Sequence, residues 1–372
     1  MRVAVLTDSI DADAPGFSSY AMNLSRALLQ ALPGSVTLVH REQHPFYDRL
    51  PQAIPALPSI PLPSRLRRQW SLPRWLEAQG YDLVHDTYHF GPFLRRSRFA
   101  RVLTIGDLTP IVSTGAPLSS GLAHRILLPP IARRADHIVT FSENSRRDIQ
   151  GILHVPSRRI TVTPLAASPL FKPHPGAAVE AARARLGLPL RYLLFVGSIE
   201  PRKNVPALIR AFAQGGSKME GVSLVLVGRR SWGLPKLDAL IDDLGLAARV
   251  LRRPDIGRDD LPLVYNGAIA LAYPSLYEGF GLPALEAMQC GVPVVTSGAS
   301  SLPEVVGDEA VLVDPQSVPS IAEGLIEVVC NGELRRRLIE GGLARAHQFS
   351  WERCAELTIA AYEAAMRDQA AR

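Results

Sequence analysis

Tyr273-Pro-Ser-Leu-Tyr-Glu278-Gly-Phe-Gly281-Leu-Pro283-Ala-Leu-Glu286-Ala-Met-Gln-Cys-Gly291-Val-Pro293 places two carboxylates, seven residues between them, around a Gly-Phe-Gly turn and the start of a helix. Pro283 suits the first helical position, where its missing N–H costs nothing, and Gly291 followed by Pro293 suits the stop. The spacing predicts a short helix over about residues 283 to 290. Its unpaired N–H groups and positive dipole end lie beside the glycines, a ready seat for phosphate. Two acceptor carboxylates flanking that seat can take hydroxyl hydrogens from a sugar on one side and a ribose on the other. Glu286 alone reads equally well as a solvated helix carboxylate, and the glycines alone as a turn. Together they ask for a sugar–diphosphate–nucleoside ligand.

Short apolar runs alternate with amphipathic helical stretches on both sides of this segment, the pattern of parallel sheets with crossover helices. The first half has Val3–Leu6, Val36–Val39, Leu83–His85, Val102–Ile105, His137–Phe141 and Ile160–Val162; the second has Tyr192–Val196, Leu224–Val227, Val250–Leu251, Ile269–Tyr273, Val292–Thr296 and Val311–Val313. Two series predict two doubly wound α/β domains, with ligand sites at the carboxyl ends of the strands. Between Pro164 and Gly187 the composition turns to Pro, Ala and Gly, so the domains are expected at 1–168 and 169–351. Six prolines between 51 and 73 predict a loop or short-helix excursion in the first domain. From Trp351 onward the pattern is one long helix.

A second loop supports the first. Phe195-Val-Gly197-Ser-Ile-Glu-Pro-Arg202-Lys203-Asn follows a strand and opens a helix. Gly197 permits close backbone approach, and Arg202 and Lys203 present adjacent cations for a diphosphate whose charge must be neutralised as the sugar leaves. Alone this is a solvated basic loop. The two segments together resemble the group-1 (GT4-like) family of retaining glycosyltransferases of the GT-B fold, including bacterial mannosyltransferases of polysaccharide assembly. Ser301-Leu-Pro-Glu-Val-Val-Gly-Asp308 and Phe349-Ser-Trp351 extend the likeness.

The resemblance implies two Rossmann-like domains facing a cleft, the final helix 352–372 packing back on the first, and a nucleotide-sugar donor held mainly by the second. By it, Glu278 would meet the donor sugar; the backbone of Gly279, Phe280, Gly281 and Leu282 would meet sugar and phosphate; Glu286 would bind the ribose; and Arg202 and Lys203 would hold the diphosphate. The loop Arg253-Pro-Asp255-Ile256 stands where the family grips the base, though relatives often carry Gly-Tyr-Val there. In the first half, Gly16 lies in a loop like the family's Gly-rich first loop, before a helix from Ser19. Asp107 matches an acidic residue that relatives place after a histidine, but this chain has Gly106 there. His85, with Asp86 and His89, is an acceptor-side candidate in compensation; a core histidine is the commoner fate. The departing diphosphate would itself take the acceptor's proton, so no cofactor and no metal are expected. Asp11-Ala-Asp13 reads as a polar loop.

Composition bounds the rest. The 372 residues, 47% hydrophobic and 20% charged, suit two globular domains. No apolar run approaches the ~20 residues that cross a bilayer, and the acid at position 8 makes the amino end a first strand and not a secretory signal. Cys290, Cys330 and Cys354 lack metal-ligand spacing and fit a reducing cytoplasm. Residues 1–170 hold 19 Arg, no Lys and 12 acids, so the net charge of +6 resides in the first half. The clusters at Arg65, Arg67 and Arg68 with Trp70, at Arg95, Arg96, Arg98 and Arg101, and at Arg125, Arg133 and Arg134 suggest an acidic partner. A lipid-linked saccharide acceptor at an anionic inner-membrane face is expected, with GDP-mannose as donor and no nucleic acid. A nucleotide-sugar epimerase, a phosphorylase and an inactive nucleotide-sugar-binding subunit share the architecture and remain open.

Overall fold

The computed structural model describes residues 1–11, 15–48, 50–55, 64–112, 118–229 and 237–371. Asp13 lies outside them, as do the side chains of Asp11, Arg65, Arg67 and Arg68. The chain forms two compact units, Met1–Leu165 with Ser350–Arg372, and Ala166–Phe349.

The first unit carries β1 (Val3–Leu6), β2 (Val36–His40), β3 (Ala53–Pro55), β4 (Leu83–Asp86), β5 (Ala100–Thr104), β6 (His137–Thr140) and β7 (Ile160–Val162) in the order β3-β2-β1-β4-β5-β6-β7. Every described pairing is parallel. The strands are continuous apolar runs because a parallel sheet is covered on both faces. Leu72, Leu76, Leu128 and Ile131, from the helices Ser64–Ala78 and Leu118–Arg134, join strand residues Leu103 and Ile138 in one core.

Three elements depart from the sequence expectation. The proline-rich stretch yields the edge strand β3, whose last residue is Pro55; proline is tolerated in an edge strand, which has a partner on one side only. It also yields a fifteen-residue helix, Ser64–Ala78, that continues through Pro73. Burial of Leu72 and Leu76 and the tie from Gln69 Nε2 to the Gly91 carbonyl (2.9 Å) outweigh the lost helical bond. The helix expected from Ser19 begins at Pro15, which suits a first helical turn.

The terminal helix Trp351–Ala370 belongs to the first unit, where it packs on the helix Pro15–Ala31 and on β5, β6 and β7. Its buried positions Trp351, Cys354, Ala355, Thr358, Ala361, Tyr362 and Ala365 form one stripe at helical spacing. Ser350 caps its start, accepting from Arg353 N at 3.1 Å.

The second unit carries β8 (Tyr192–Val196), β9 (Ser223–Val227), β10 (Val250–Arg253), β11 (Ala270–Tyr273), β12 (Val294–Ser297) and β13 (Val311–Val313) in the order β10-β9-β8-β11-β12-β13. The chain winds outward from β8 through β9 to β10, then resumes at β11 on the other side of β8. The loops leaving β8 and β11 therefore diverge at the switch in strand order, the place where open α/β sheets seat ligands. The Gly197–Asn204 segment leaves β8, and the Glu278–Glu286 segment leaves β11. Among the described residues no helix is long and apolar enough to cross a membrane.

Candidate functional site

The loop after β8 is shaped by backbone that only glycine adopts readily. Gly197 has φ 145° and donates from its N–H to Val227 O (2.9 Å); Gly228, after β9, has φ 138°. A Cβ on Gly228 would lie 2.1 Å from Gly197 O, so the two loops touch backbone to backbone. Pro201–Lys203 then makes a single 3₁₀ turn, and Asn204 at φ 59° redirects the chain into the helix Val205–Gln214. The Asn204 amide donates to Pro274 O (3.1 Å) and Pro315 O (2.6 Å), while Leu276 N donates to Arg202 O (2.8 Å). These bonds fasten the loop carrying the cations to the loop after β11.

Arg202, Lys203 and Glu278, remote in sequence, meet in one buried cluster. Lys203 Nζ donates to Glu278 Oε1 at 2.6 Å and Arg202 Nη1 to Oε2 at 2.8 Å; Tyr273 Oη donates to Oε1 at 2.8 Å and is bonded to Lys203 Nζ as well. Arg202 Nη2 also pairs with Glu200 Oε1 at 2.7 Å. Burial alone would raise the Glu278 carboxyl, but the Lys203 and Arg202 charges and the hydrogen bonds from Lys203 and Ser275 outweigh it and hold it at about 2. Burial pulls the Lys203 ammonium below its ordinary value against the opposing Glu278 charge. The result is an ionised carboxylate with fixed direction.

Below Glu278 the backbone is pinned by two serines. Ser300 Oγ accepts from Glu278 N (3.0 Å) and donates to Glu278 O (2.6 Å); Ser301 Oγ lies 2.9 Å from Glu278 O and 2.8 Å from Phe280 O. Gly281 at φ 113° then opens the helix Leu282–Gln289, with Pro283 in its first turn. The expected helix is thus displaced one residue toward the amino end. Phe280 is buried edge-on against Phe349, centroids 5.9 Å apart. Pro283 has no N–H and Ala284 N donates to Gly281 O (3.0 Å), so the open donor of that first turn is the Leu282 N–H, which follows directly on the segment holding the cation cluster.

Glu286 sits half-buried on that helix and accepts from Tyr265 Oη at 2.9 Å. Burial raises its carboxyl to about 7, against the lowering effects of the Tyr265 bond and Arg258. The two carboxylates of one segment are thereby driven in opposite directions. Ile256 is half-buried beyond β10, and beside it Arg253 forks onto exposed Asp255 at 3.0 and 3.1 Å. Asp255 serves as the partner of an exposed turn ion pair.

The remaining candidates belong to the first unit. Gly16 is exposed, and a Cβ there would meet nothing within 4 Å, so packing does not demand glycine. His85 has no exposed surface: Nδ1 pairs with Tyr362 Oη (2.7 Å), Nε2 with Thr104 Oγ1 (2.8 Å), and burial lowers its pKa to about 3. It is a neutral core histidine joining β4 to the terminal helix, which corrects its assignment to the acceptor side. Asp107 is half-buried after β5 and accepts from Thr109 N at 2.8 Å. The glycine before it is sterically fixed, since a Cβ on Gly106 would stand 2.5 Å from Phe141 and 2.8 Å from Phe17. Ser142 caps the helix Glu143–Leu153, accepting from Ser145 N at 3.0 Å.

Tyr265, Ser300 and Gly228 belong to the site's framework and carry no sequence motif of their own, and Tyr273 and Ser301 stand in quoted segments that gave no sign of their roles. Gly228, a glycine closing an apolar strand as Gly197 does, offered the one readable signal. Among the described residues no group of three or more His, Cys, Asp or Glu is disposed to hold a metal ion.

Comparison with known proteins places these features in a family. Residues 180–345 match the model described as glycosyl transferases group 1, and residues 16–166 match a glycosyl transferase 4-like domain. The chain is 38% identical over 229 residues, 61% of its length and 60% of the relative's, to O-antigen chain mannosyltransferase B of Escherichia coli. It is 32% identical over 309 residues, 78% of its length and 69% of the relative's, to D-inositol 3-phosphate glycosyltransferase of Mycolicibacterium smegmatis. The chain thus spans about three fifths to two thirds of the length of the curated relatives it matches. The crystal structure of Anabaena HepE with UDP-glucose shares the fold, with a TM-score of 0.73, 20% identity, and coverage of 97% of this chain and 99% of that one.

Proposed function

Because this chain belongs to the group 1 glycosyltransferases, we propose that it transfers a hexose from a nucleotide-sugar to a saccharide acceptor with retention of anomeric configuration. The observation that carries this reading is the meeting of Arg202, Lys203 and ionised Glu278 beside the first turn of the helix Leu282–Gln289. In the proposed reaction the bond between the sugar's anomeric carbon and the diphosphate oxygen breaks on the face where the acceptor oxygen bonds to that carbon. The acceptor's proton passes to the departing diphosphate. Arg202, Lys203 and the Leu282 N–H at the helix start stabilise the charge that develops on the leaving group, and Glu278 orients the hexose through its hydroxyls. Glu286, with Tyr265 fixing its carboxylate, takes the ribose. With protein cations and a helix end at the diphosphate, the transfer is proposed to proceed without a metal.

Mannose carried on GDP is the donor we favour, by the likeness to an O-antigen mannosyltransferase; the Anabaena HepE structure is a complex with UDP-glucose. A lipid-linked saccharide is the proposed acceptor, on a cytoplasmic membrane face. Supporting it, Leu122 and Ile126 on the helix Leu118–Arg134 are 60% and 59% exposed, with exposed Arg125 between them. On the helix Ser64–Ala78, exposed Trp70 has the Arg95 guanidinium 5.4 Å from its ring centroid. Each such cation is worth about 1 kcal/mol near anionic lipid.

A thermal-shift screen over GDP-mannose, UDP-glucose and ADP-glucose tests the donor assignment. A true donor at about 100 times its Kd stabilises by about 2.7 kcal/mol, a rise of roughly 5–10 °C for a unit of this size. The rise should vanish in Lys203→Ala. If no nucleotide-sugar shifts the wild-type melt, the reading is wrong.

A further inference from the structure

His89 is 3% exposed, yet its Nε2 has no hydrogen-bond partner among the described residues. Its other nitrogen, Nδ1, is 3.3 Å from His124 Nε2. Leaving a buried polar atom unpaired costs about 1–3 kcal/mol, so a native fold rarely does so without a use for it. The residue stands just past the carboxyl end of β4, beside the loop that leaves β5 with Gly106 and Asp107. This is the switch in strand order of the first sheet, between β1 and β4.

Four further groups make a composite surface there. The half-buried ring of Phe17 meets Tyr88 at 5.0 Å and His89 at 4.9 Å, both edge-on, while Tyr88 and His89 stack at 5.3 Å. Asp107 acts on both His89 and Tyr88 electrostatically, and Asp86 accepts from Tyr88 N at 2.8 Å. Two carboxylates with no cation in the group disfavour an anionic ligand. The imidazole is kept neutral by burial, its pKa lowered to about 4 with Asp107 opposing and His124 assisting, and among the described residues no three His, Cys, Asp or Glu are disposed to hold a metal ion, so an uncharged polar partner suits it. A hydroxyl both donates and accepts, so it satisfies Nε2 in either tautomer. Half-exposed aromatic rings beside a carboxylate and an imidazole suit the alternating C–H and O–H faces of a pyranose.

We propose that Phe17, Tyr88, His89 and Asp107 form a hexose-binding subsite of the first unit, with His89 Nε2 bonded to a sugar hydroxyl. The subsite deepens the acceptor side of the proposed function and rests on that reading only for the sugar's role as acceptor. Phe17 also accounts for Gly106: its ring, with Phe141, fills the space a side chain at 106 would need.

The test uses the full chain and saturation-transfer NMR with methyl α-D-mannopyranoside and methyl α-D-glucopyranoside, glycerol serving as a non-pyranose control. Binding on the order of millimolar is expected for one pyranoside ring and none for glycerol. His89→Phe, which keeps the ring and deletes the nitrogen, should weaken the pyranoside about tenfold, the worth of one well-placed hydrogen bond. His89→Gln should recover part of it. Asp107→Asn, at a half-buried position, should also weaken binding and decides the matter if the His89 variants fail to fold. GDP and UDP affinities should be unchanged in every variant. Pyranoside binding unaffected by His89→Phe or by Asp107→Asn, or absent from a wild-type protein that binds nucleotide, overturns the subsite. Absence of nucleotide-sugar binding with pyranoside binding intact overturns the donor reading and leaves the subsite standing.

Discussion

Replacing Lys203 by Met removes a buried charge while keeping most of its volume, and the structure fixes what should follow. Glu278 is held at about 2 in place of its ordinary 4.5, which corresponds to about 3 kcal/mol favouring the folded state. The carboxyl's folded pKa is depressed, so this stability is present above about pH 4.5 and lost as pH falls toward 2. The lowered Lys203 ammonium works against it, so the net worth of the pair is smaller. Removing one partner is nonetheless expensive, because Glu278 remains buried with Arg202 and Tyr273 as its supports: about 3 kcal/mol at pH 7, at the lower end for a broken buried pair. For a unit spanning Ala166–Phe349 that is a fall of roughly 6–12 °C. Glu278→Gln should destabilise less, since an amide still accepts from Tyr273 or Lys203. The double variant should be more stable than the sum of the two losses by at least about 1 kcal/mol. Urea or thermal melts of all four proteins at pH 7 measure this. Additivity within about 0.5 kcal/mol would refute the claim that the two side chains form one electrostatic unit.

Two further outcomes follow from the same geometry. Glu286, raised to about 7, favours folding fully below about pH 4.5 and loses that contribution as pH rises through 7; Glu286→Gln should therefore flatten the melting temperature between pH 5 and 8 and raise stability at pH 8 by at most about 2 kcal/mol, given its half-exposed side chain, and an unchanged pH profile would count against the raised carboxyl. Gly106→Ala forces a methyl to within 2.5 Å of Phe141, an overpacking worth about 1–3 kcal/mol; Phe17→Leu in the same chain should relieve part of the loss, and an undisturbed melt of Gly106→Ala alone would contradict the packing.

The fold was legible where the sequence repeats one physical rule. A strand of a parallel sheet must be apolar throughout, so Val3–Leu6, Ile160–Val162, Tyr192–Val196 and Val311–Val313 appear with the bounds their composition implies. It was least legible where tertiary burial overrides a local rule. Pro73 reads as a helix breaker until Leu72 and Leu76 are seen in the core, and β3 carries too few residues for any period to register. At the site, Glu278, Lys203 and Gly281 announce themselves through turn chemistry and charge. Tyr273 does not, because a buried strand tyrosine is indistinguishable in sequence from any apolar filler until its hydroxyl is placed on Glu278 Oε1. His85 and His89 show the same limit from the other side. Four residues apart, both look like polar interruptions of an apolar run. One has both nitrogens satisfied by Tyr362 and Thr104, and the other keeps Nε2 unpaired.

On the proposed function, the charge pattern of the second unit bears on how a diphosphate would bind. Arg202 and Lys203 are matched by Glu200 and Glu278, so these four side chains carry no net charge. An incoming diphosphate would therefore compete with carboxylates for the cations and also draw on the Leu282 N–H at the helix start, which no side chain caps. That arrangement weakens ground-state binding of a diphosphate already bonded to its sugar. It favours the separated diphosphate, whose additional charge the same donors meet more strongly, which is the differential a transferase needs. Glu278 gains its place by the same accounting: carboxylates that hold the cations also prevent them from gripping the intact donor too firmly. In Glu278→Gln the cations lose one opposing charge, so nucleoside diphosphate should bind more tightly than in the wild type, by up to about tenfold, while transfer falls. Calorimetric titration of GDP and UDP against both proteins separates the two effects. Weaker diphosphate binding in the variant would show that Glu278 supports the cations' geometry more than it restrains their charge.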